Sequence, residues 1–218
     1  MKPKSPFIQS FDQLPKELPI YPINNVLLPG GEFPLELSST NELALFQFAL
    51  KHNQLLGLSL EKNPHGAPHK IGCAGRIRQY RERKDGRLNV MVTGICRFEL
   101  REDPHISNDF LIAQVDWSNY SKDYINETLD PQLIEQFKHT LKLYFKKHAM
   151  QVNWDVLNKQ AIEEVINNLV LVLTLPSKVK QQLLEATTVA KRAMLFINYL
   201  DSKSTPINIH TTPQGTLN

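Results

Sequence analysis

The spacing of apolar positions changes part-way along the chain. Between Ile20 and Trp117 they fall in short or alternating runs cut by Gly, Pro and Asn, whereas from Asp130 onward they recur at three- and four-residue steps. Alternation marks half-buried strands and the longer step marks a helix face, so the pattern predicts an α+β chain with its strands first. Eight of the nine glycines precede residue 95, as a turn-rich β-region requires. The expected organisation is an arm over 1–17, a β-subdomain over 18–118, a linker over 119–129, a helical subdomain over 130–203 and a disordered tail over 204–218.

The clearest local pattern is KIGCAGRIRQYRERKDGRLNVMVTGICRFELRE, two alternating runs on either side of Asp85-Gly86. Asp-Gly favours a two-residue hairpin turn in which both residues accept positive φ. Counting back from that turn sets Lys84 against Arg87, Ile77 against Gly94, Gly75 against Cys96 and Cys73 against Phe98, all on one inner face. Cys73 and Cys96 then lie diagonally, roughly 7–8 Å apart, and both thiols are expected free. Leu56–Leu60 and Phe110–Trp117 read as further strands, the latter with Leu111, Ala113, Val115 and Trp117 on one side. NNVLLPGGEFPLEL reads as two short strands around a Pro-Gly-Gly corner.

In the second half Asp130 has the chemistry of an N-cap and Pro131 that of a first helical residue. Leu133, Phe137, Leu141 and Tyr144 then keep helical spacing. A second helix is expected from Leu157 to Thr174, with Ala161, Val165, Leu169 and Leu173 inward and its LVLVL end buried. SKVKQQLLEA makes a third, and a fourth starts at Thr187 or Thr188 and carries Ala193, Leu195, Phe196, Ile197 and Leu200. Short connections between four helices suggest a bundle.

Composition adds little: 41% hydrophobic and 22% charged residues with a net charge of +3 describe an ordinary globular chain rather than a nucleic-acid footprint. No run is long and apolar enough for a signal peptide or a membrane span, so a cytoplasmic protein with no membrane contact is expected. Catalytic patterns are missing. Gly30-Gly31 is followed by Glu-Phe-Pro, and no glycine precedes a lysine, which rules out a phosphate-cradling loop. Gly57-Leu58-Ser59-Leu60-Glu61 has half of a nucleophile elbow. His65 and His69 flank Gly-Ala-Pro, which cannot hold them on one helical face, and Cys96 alternates into the core. Neither metal nor cofactor is expected.

Basic residues do gather. Arg76, Arg78, Arg81, Arg83, Lys84 and Arg87 follow the hairpin, interrupted by Glu82 and Asp85, and Lys138, Lys142 and Lys146 form a helical stripe. A solvated face is the plain reading, and RNA or an acidic partner the sharper one, though few aromatics interleave for base stacking.

LPIYPINNVLLPGGEFPLEL, GLSL and IGCAGRIRQYRERKDGRLNVMVTGICRFEL, in this order, resemble the N-terminal substrate-recognition domain of Lon proteases, and LPSKVKQQLLEATTVAKRAMLFINYL resembles the helices after it. Pro22, Pro29, Gly30, Gly31, Pro34, Asp85, Gly86 and Phe98 carry the structural part of the likeness. It implies a PUA-like β-barrel followed by a four-helix bundle-like region, standing alone without ATPase or protease domains. The implied function is a non-catalytic module that binds unfolded or exposed protein segments, with a protease or chaperone system as partner; the alternative is an RNA-binding PUA-like protein. Arg76, Arg78, Arg97, Lys138, Lys142 and Lys146 are the candidate contacts. The family's Ile-Phe-Glu-Pro-Arg-Tyr stretch falls on Leu37 to Glu42, where only the aliphatic first position is kept. There Ser39 and Glu42 have capping-box spacing.

Overall fold

In the sheet, one short strand pairs parallel to the next-but-one and antiparallel to the last long one. The computed structural model describes residues 10–64 and 66–204; most of the expected arm, His65 and the tail from 205 onward lie outside them. Strands β1 (Glu17–Ile23), β2 (Glu32–Leu37), β3 (Leu55–Leu60), β4 (Ile71–Glu82), β5 (Leu88–Leu100), β6 (His105–Ser107) and β7 (Phe110–Asp116) form one seven-stranded sheet in the order β2-β5-β4-β3-β1-β7-β6. Because β5 also pairs with β7, the ladder β5-β4-β3-β1-β7 returns on itself. Helix α1 (Thr40–Lys51) makes the crossover that lets β3 run parallel to β1.

Helix α1 begins where a capping box was expected. Glu42 N–H donates to Ser39 Oγ at 3.3 Å while the Glu42 carboxylate accepts from Ser39 N–H at 2.8 Å. The Pro-Gly-Gly corner is a type II turn: Gly31 N–H donates to Leu28 O, Pro29 fixes the first central φ, and Gly30 takes φ 81°. The stretch before it differs from expectation, since Asn24–Leu28 is not a strand although Val26, Leu27 and Leu28 are buried. The Leu28 carbonyl is taken up by the turn, and the corner itself pairs with β5, with Gly30 N–H donating to Gly94 O and Gly94 N–H to Gly31 O, both at 2.8 Å. A Cβ on Gly94 would fall on the Leu28 carbonyl.

The hairpin forms, with its register shifted by one. Arg83 N–H donates to Arg87 O and Gly86 N–H to Arg83 O, so the loop holds three residues, and only Gly86 is left-handed, at φ 80°. Asp85 is the cause: its carboxylate accepts from the Arg87 N–H at 3.2 Å and stabilises the wider turn. Arg78 bulges on β4 and Ile95 on β5, so that Ile77 faces Val92, Gly75 faces Gly94 and Cys73 faces Arg97. Cys96 instead faces Ala74, which puts the two thiols on opposite faces of β4–β5. Both are free and buried, and burial pushes both thiols well above their ordinary range.

Two cores result. One runs from α1 and the corner through Leu56, Leu58 and Val92 into the C-terminal helices; the other, with Leu18, Ile20, Phe98, Ala113, Val115 and Trp117, lies on the opposite face. Residues 119–129 are no loose linker, for a 3-10 segment over Ser118–Tyr124 buries Tyr120, Asp123 and Tyr124. Helix α2 (Pro131–Lys147) starts at Asp130, whose carboxylate accepts from Gln132 N–H at 2.9 Å. The expected second helix is broken into α3 (Trp154–Leu157) and α4 (Ile162–Val172), with extended backbone at Ala161. Ile162, Val165, Ile166 and Val170 point inward, Leu173 is buried as expected and Leu169 is half-buried, while Ala161 is exposed and Val172, in the apolar LVLVL end, is 75% exposed. Helices α5 (Ser177–Glu185) and α6 (Val189–Ser204) follow, and α2, α4 and α5 all pack on α6. Ala193, Phe196, Ile197 and Leu200 face inward as expected, but Leu195 turns out to solvent.

Candidate functional site

The basic residues singled out in the sequence separate into three environments. At the hairpin tip, Arg83 and Arg87 share Glu36 at 3.0 and 2.5 Å, and Arg87 also meets Asp85 at 2.7 Å. Their charge is largely answered within the protein, and the Asp85 carboxylate is held below its usual range by hydrogen bonds from Arg87. Lys138, Lys142 and Lys146 do line one side of α2 at four-residue steps. Lys138 lies 3.9 Å from Glu135 and is half-buried, Lys142 sits over the Trp154 ring at 5.7 Å, and Lys142 and Lys146 are both exposed.

Arg97 is not a surface contact. It is 1% exposed, because the face of β5 opposite Cys96 is covered by the 3-10 segment and the α5–α6 junction, and its guanidinium is consumed within the protein. Nε and Nη2 donate to the Asp123 carboxylate at 3.0 and 2.6 Å, Nη1 donates to the Leu184 and Ala186 carbonyls, and Tyr120 stacks at 4.5 Å. Burial favours loss of its proton, but Asp123 outweighs this and holds the charge in place. Arg192, equally buried, donates from Nε to Leu183 O at 3.0 Å and reaches only to 3.9 Å of Glu163. Burial, helped by the charge of Arg97, pulls it down to about 10. Together these arginines fasten β5 to the 3-10 segment and the α5–α6 junction. Neither Asp123 nor Arg192 was picked out in the sequence, though a lone arginine inside GICRFEL hinted that a buried carboxylate must lie elsewhere.

Other cross-links close the sheet–helix junction. Asn167 Nδ2 of α4 donates to Pro29 O at 2.6 Å, and Gln181 Nε2 of α5 donates to Ile71 O at 3.2 Å. Two open surfaces lie on the sheet, away from these cross-links. Strand β2 forms one edge of the sheet, and beside it Pro34, Glu36, Tyr80, Arg81, Asn89 and Met91 line a groove of about 660 Å³. Pro34 lacks one ladder donor, yet the rest of the edge has the backbone groups an extended peptide pairs with.

A second cleft, of about 430 Å³, lies where α1 hands over to β3. Arg76, Lys51, Asn53 and Gln54 provide its polar wall, and Arg76 is partly buried. Arg78, two residues on, is exposed at the β4 bulge. The structure therefore does not bring Arg76, Arg78 and Arg97 together.

The departure at Leu37 to Glu42 is filled by another contact. Tyr21 Oη donates to Glu42 Oε1 at 2.6 Å, tying β1 to the start of α1. Partial burial acts to raise the Glu42 pKa, but the hydrogen bonds from Tyr21, Ser38 and Ser39 prevail and lower it. Burial and the same carboxylate raise that of Tyr21. Among the described residues no three His, Cys, Asp or Glu side chains gather as a metal site, and no helix is long and apolar enough to cross a membrane.

The family model for the substrate-binding domain of ATP-dependent protease La (Lon) matches residues 17–202. The chain belongs to this family. The Lon protease of Flavobacterium johnsoniae is 23% identical over 201 residues, covering 87% of this chain and 24% of its own length. This chain thus spans about a quarter of the length of the curated relatives it matches. Among solved structures, a Lon N-terminal domain protein from Xanthomonas campestris superposes with a TM-score of 0.65 at 20% identity, over 84% of this chain and 98% of that one. The N-terminal domain of the Lon protease from the Mycobacterium avium complex gives 0.62 at 18% identity, over 85% and 98%. The Lon family's mixed α+β fold is therefore shared along most of the chain.

Proposed function

We propose that the chain is a non-catalytic module that holds unfolded or exposed protein segments for a protease or chaperone system in the cytoplasm. The observation that carries this is the Lon substrate-binding family match across residues 17–202. In this reading the closed ladder of β5, β4, β3, β1 and β7 is a PUA-like barrel, residues 18–118 and 130–203 are its two subdomains, and the helices form a bundle-like buttress. The β2 edge and the groove beside it take extended polypeptide through backbone hydrogen bonds, which suits broad specificity. The RNA reading is weakened at the hairpin tip, where Arg83 and Arg87 are paired with Glu36 and Asp85.

The test is a fluorescence-anisotropy titration with a reduced, carboxymethylated protein and with the same protein in its native form. Saturable binding of the unfolded form alone is expected. Equal binding of both forms, or of neither, would overturn the reading.

A further inference from the structure

We propose that the cleft between the α1–β3 turn and strands β4 and β5 is a carboxylate-binding site, with Arg76 as its principal donor and the C-terminal end of a bound polypeptide as its ligand. The choice of a chain end as the source rests on the polypeptide-binding reading above. The carboxylate site itself does not.

Three observations converge on it. Arg76 is the partly buried arginine of the sheet that meets no acceptor among the described residues. Arg83, Arg87, Arg97 and Arg101 all have carboxylate partners, and Arg78 and Arg81 are exposed to water. A guanidinium that has given up part of its hydration without gaining an acceptor is matched by an incoming anion, and its planar fork fits a carboxylate in two parallel hydrogen bonds. Beside it the Thr93 hydroxyl, directly opposite Arg76 in the ladder, is shielded from solvent and has no partner among the described residues. The nearest carboxylate in register is Glu32, which faces Thr93 from the other side and so stands two strands away from Arg76, roughly 10 Å.

The walls also suit the ligand. Among the described residues no acidic one lines the cleft, and Lys51 adds a second positive charge at its rim. The last carbonyls of α1 would repel an anion, but Phe48 O and Ala49 O already accept from the His52 and Gln54 amides. Asn53 and Gln54 are held at φ 50° and 57°, consecutive left-handed residues without a glycine, and Ile77 N–H donating to Gln54 O at 3.0 Å helps fix them. Such backbone is costly to hold and concentrates at ligand sites. The Ile95 bulge turns that side chain to the cleft, where with Leu55 it supplies an apolar floor for the last side chain of a peptide.

The experiment follows the Arg76 Nε–H resonance, assigned by its loss in Arg76→Lys, while the intact chain is titrated with N-acetylleucine, N-acetylleucinamide and an N-acetyl-aspartic acid whose α-carboxyl is amidated. Saturable shifts with N-acetylleucine, at least tenfold weaker with the amide, are expected. In Arg76→Gln the Asn53 and Gln54 amides should no longer shift, while the rest of the spectrum shows the fold retained. Binding of the aspartic derivative instead would keep the carboxylate site and overturn the chain end as its source. Absence of a saturable shift with either carboxylate would overturn the site, even if the unfolded polypeptide is still captured. Capture can likewise fail while N-acetylleucine binds, so the two ideas stand or fall separately.

Discussion

Just before β5, Arg87 sits in water between Glu36 and Asp85; ten residues later on the same strand, Arg97 is shut into the protein against Asp123. The pairs look alike on paper, each a guanidinium with a carboxylate at 2.5–2.7 Å. Their surroundings make them different. Exposed charges already enjoy water, so forming the outer pairs releases little free energy. The inner pair has lost that water, and each partner depends on the other. Arg97 also donates to two backbone carbonyls at the α5–α6 junction, so its loss would unfasten the helices as well as orphan Asp123.

The largest expected effect is therefore at position 97. Arg97→Met should cost about 3–5 kcal/mol, because Asp123 remains buried without a counter-charge, and urea unfolding would measure it. Adding Asp123→Leu should recover a large share of the loss. If the double variant is no more stable than the single one, the carbonyl contacts rather than the ion pair hold the junction. Midway along β5, Gly94→Ala should cost about 1–3 kcal/mol, since the new methyl meets a backbone carbonyl that cannot rotate away. A negligible change in the unfolding midpoint would show that the corner gives way easily.

The same contrast explains what was readable beforehand. Strands before helices, the hairpin, the α2 cap and the α1 capping box follow from short-range spacing, and the structure has them, whereas the strand expected over Asn24–Leu28 does not form. The register did not follow, because the turn length depends on how Asp85 uses its carboxylate, and a one-residue slip sends every side chain to the other face. Arg97 reads as a surface contact for a different reason: in sequence its face of β5 looks solvated, whereas the 3-10 segment and the α5–α6 junction cover it. The break between α3 and α4 escaped notice because nothing in NKQAIEE forbids helix; tertiary packing of Ile162 and Val165 decides the start. Of the candidate contacts, Arg76 lies in a cleft that also needs Lys51, Asn53 and Gln54, a grouping made by the α1 crossover and invisible in sequence order.

Between the two extremes stands Glu42, partly buried and bound by Tyr21 and by two backbone amides. Its folded pKa lies below the usual glutamate value, so the stability it contributes is full above that value and disappears as pH falls through the lowered one. Glu42→Gln should cost about 1 kcal/mol near neutral pH, a typical capping loss already reduced by solvent screening. The difference from the parent protein should close in acid. A gap that stays constant from neutral to acidic pH would mean that shape, not charge, makes the cap.

The smallest effect belongs to Glu36, although it is the residue with the most conspicuous ion pairs. It meets both Arg83 and Arg87 at the hairpin tip, but all three side chains are more than two-fifths exposed. Ordering them costs side-chain entropy, salt screens the attraction, and water receives each group when the pair opens. Glu36→Gln should leave the urea midpoint within replicate scatter at physiological salt and shift it only slightly at low salt. What it should change is the electrostatic character of the tip, because Arg83 and Arg87 would then lack their shared acceptor. A gel-shift titration with single-stranded RNA would show this: weak, steeply salt-dependent binding that appears in Glu36→Gln and not in the parent chain. Equal RNA binding by both proteins would mean that the outer pairs do not mask these arginines, and the distinction between a silenced tip and a structural Arg97 would have to be redrawn.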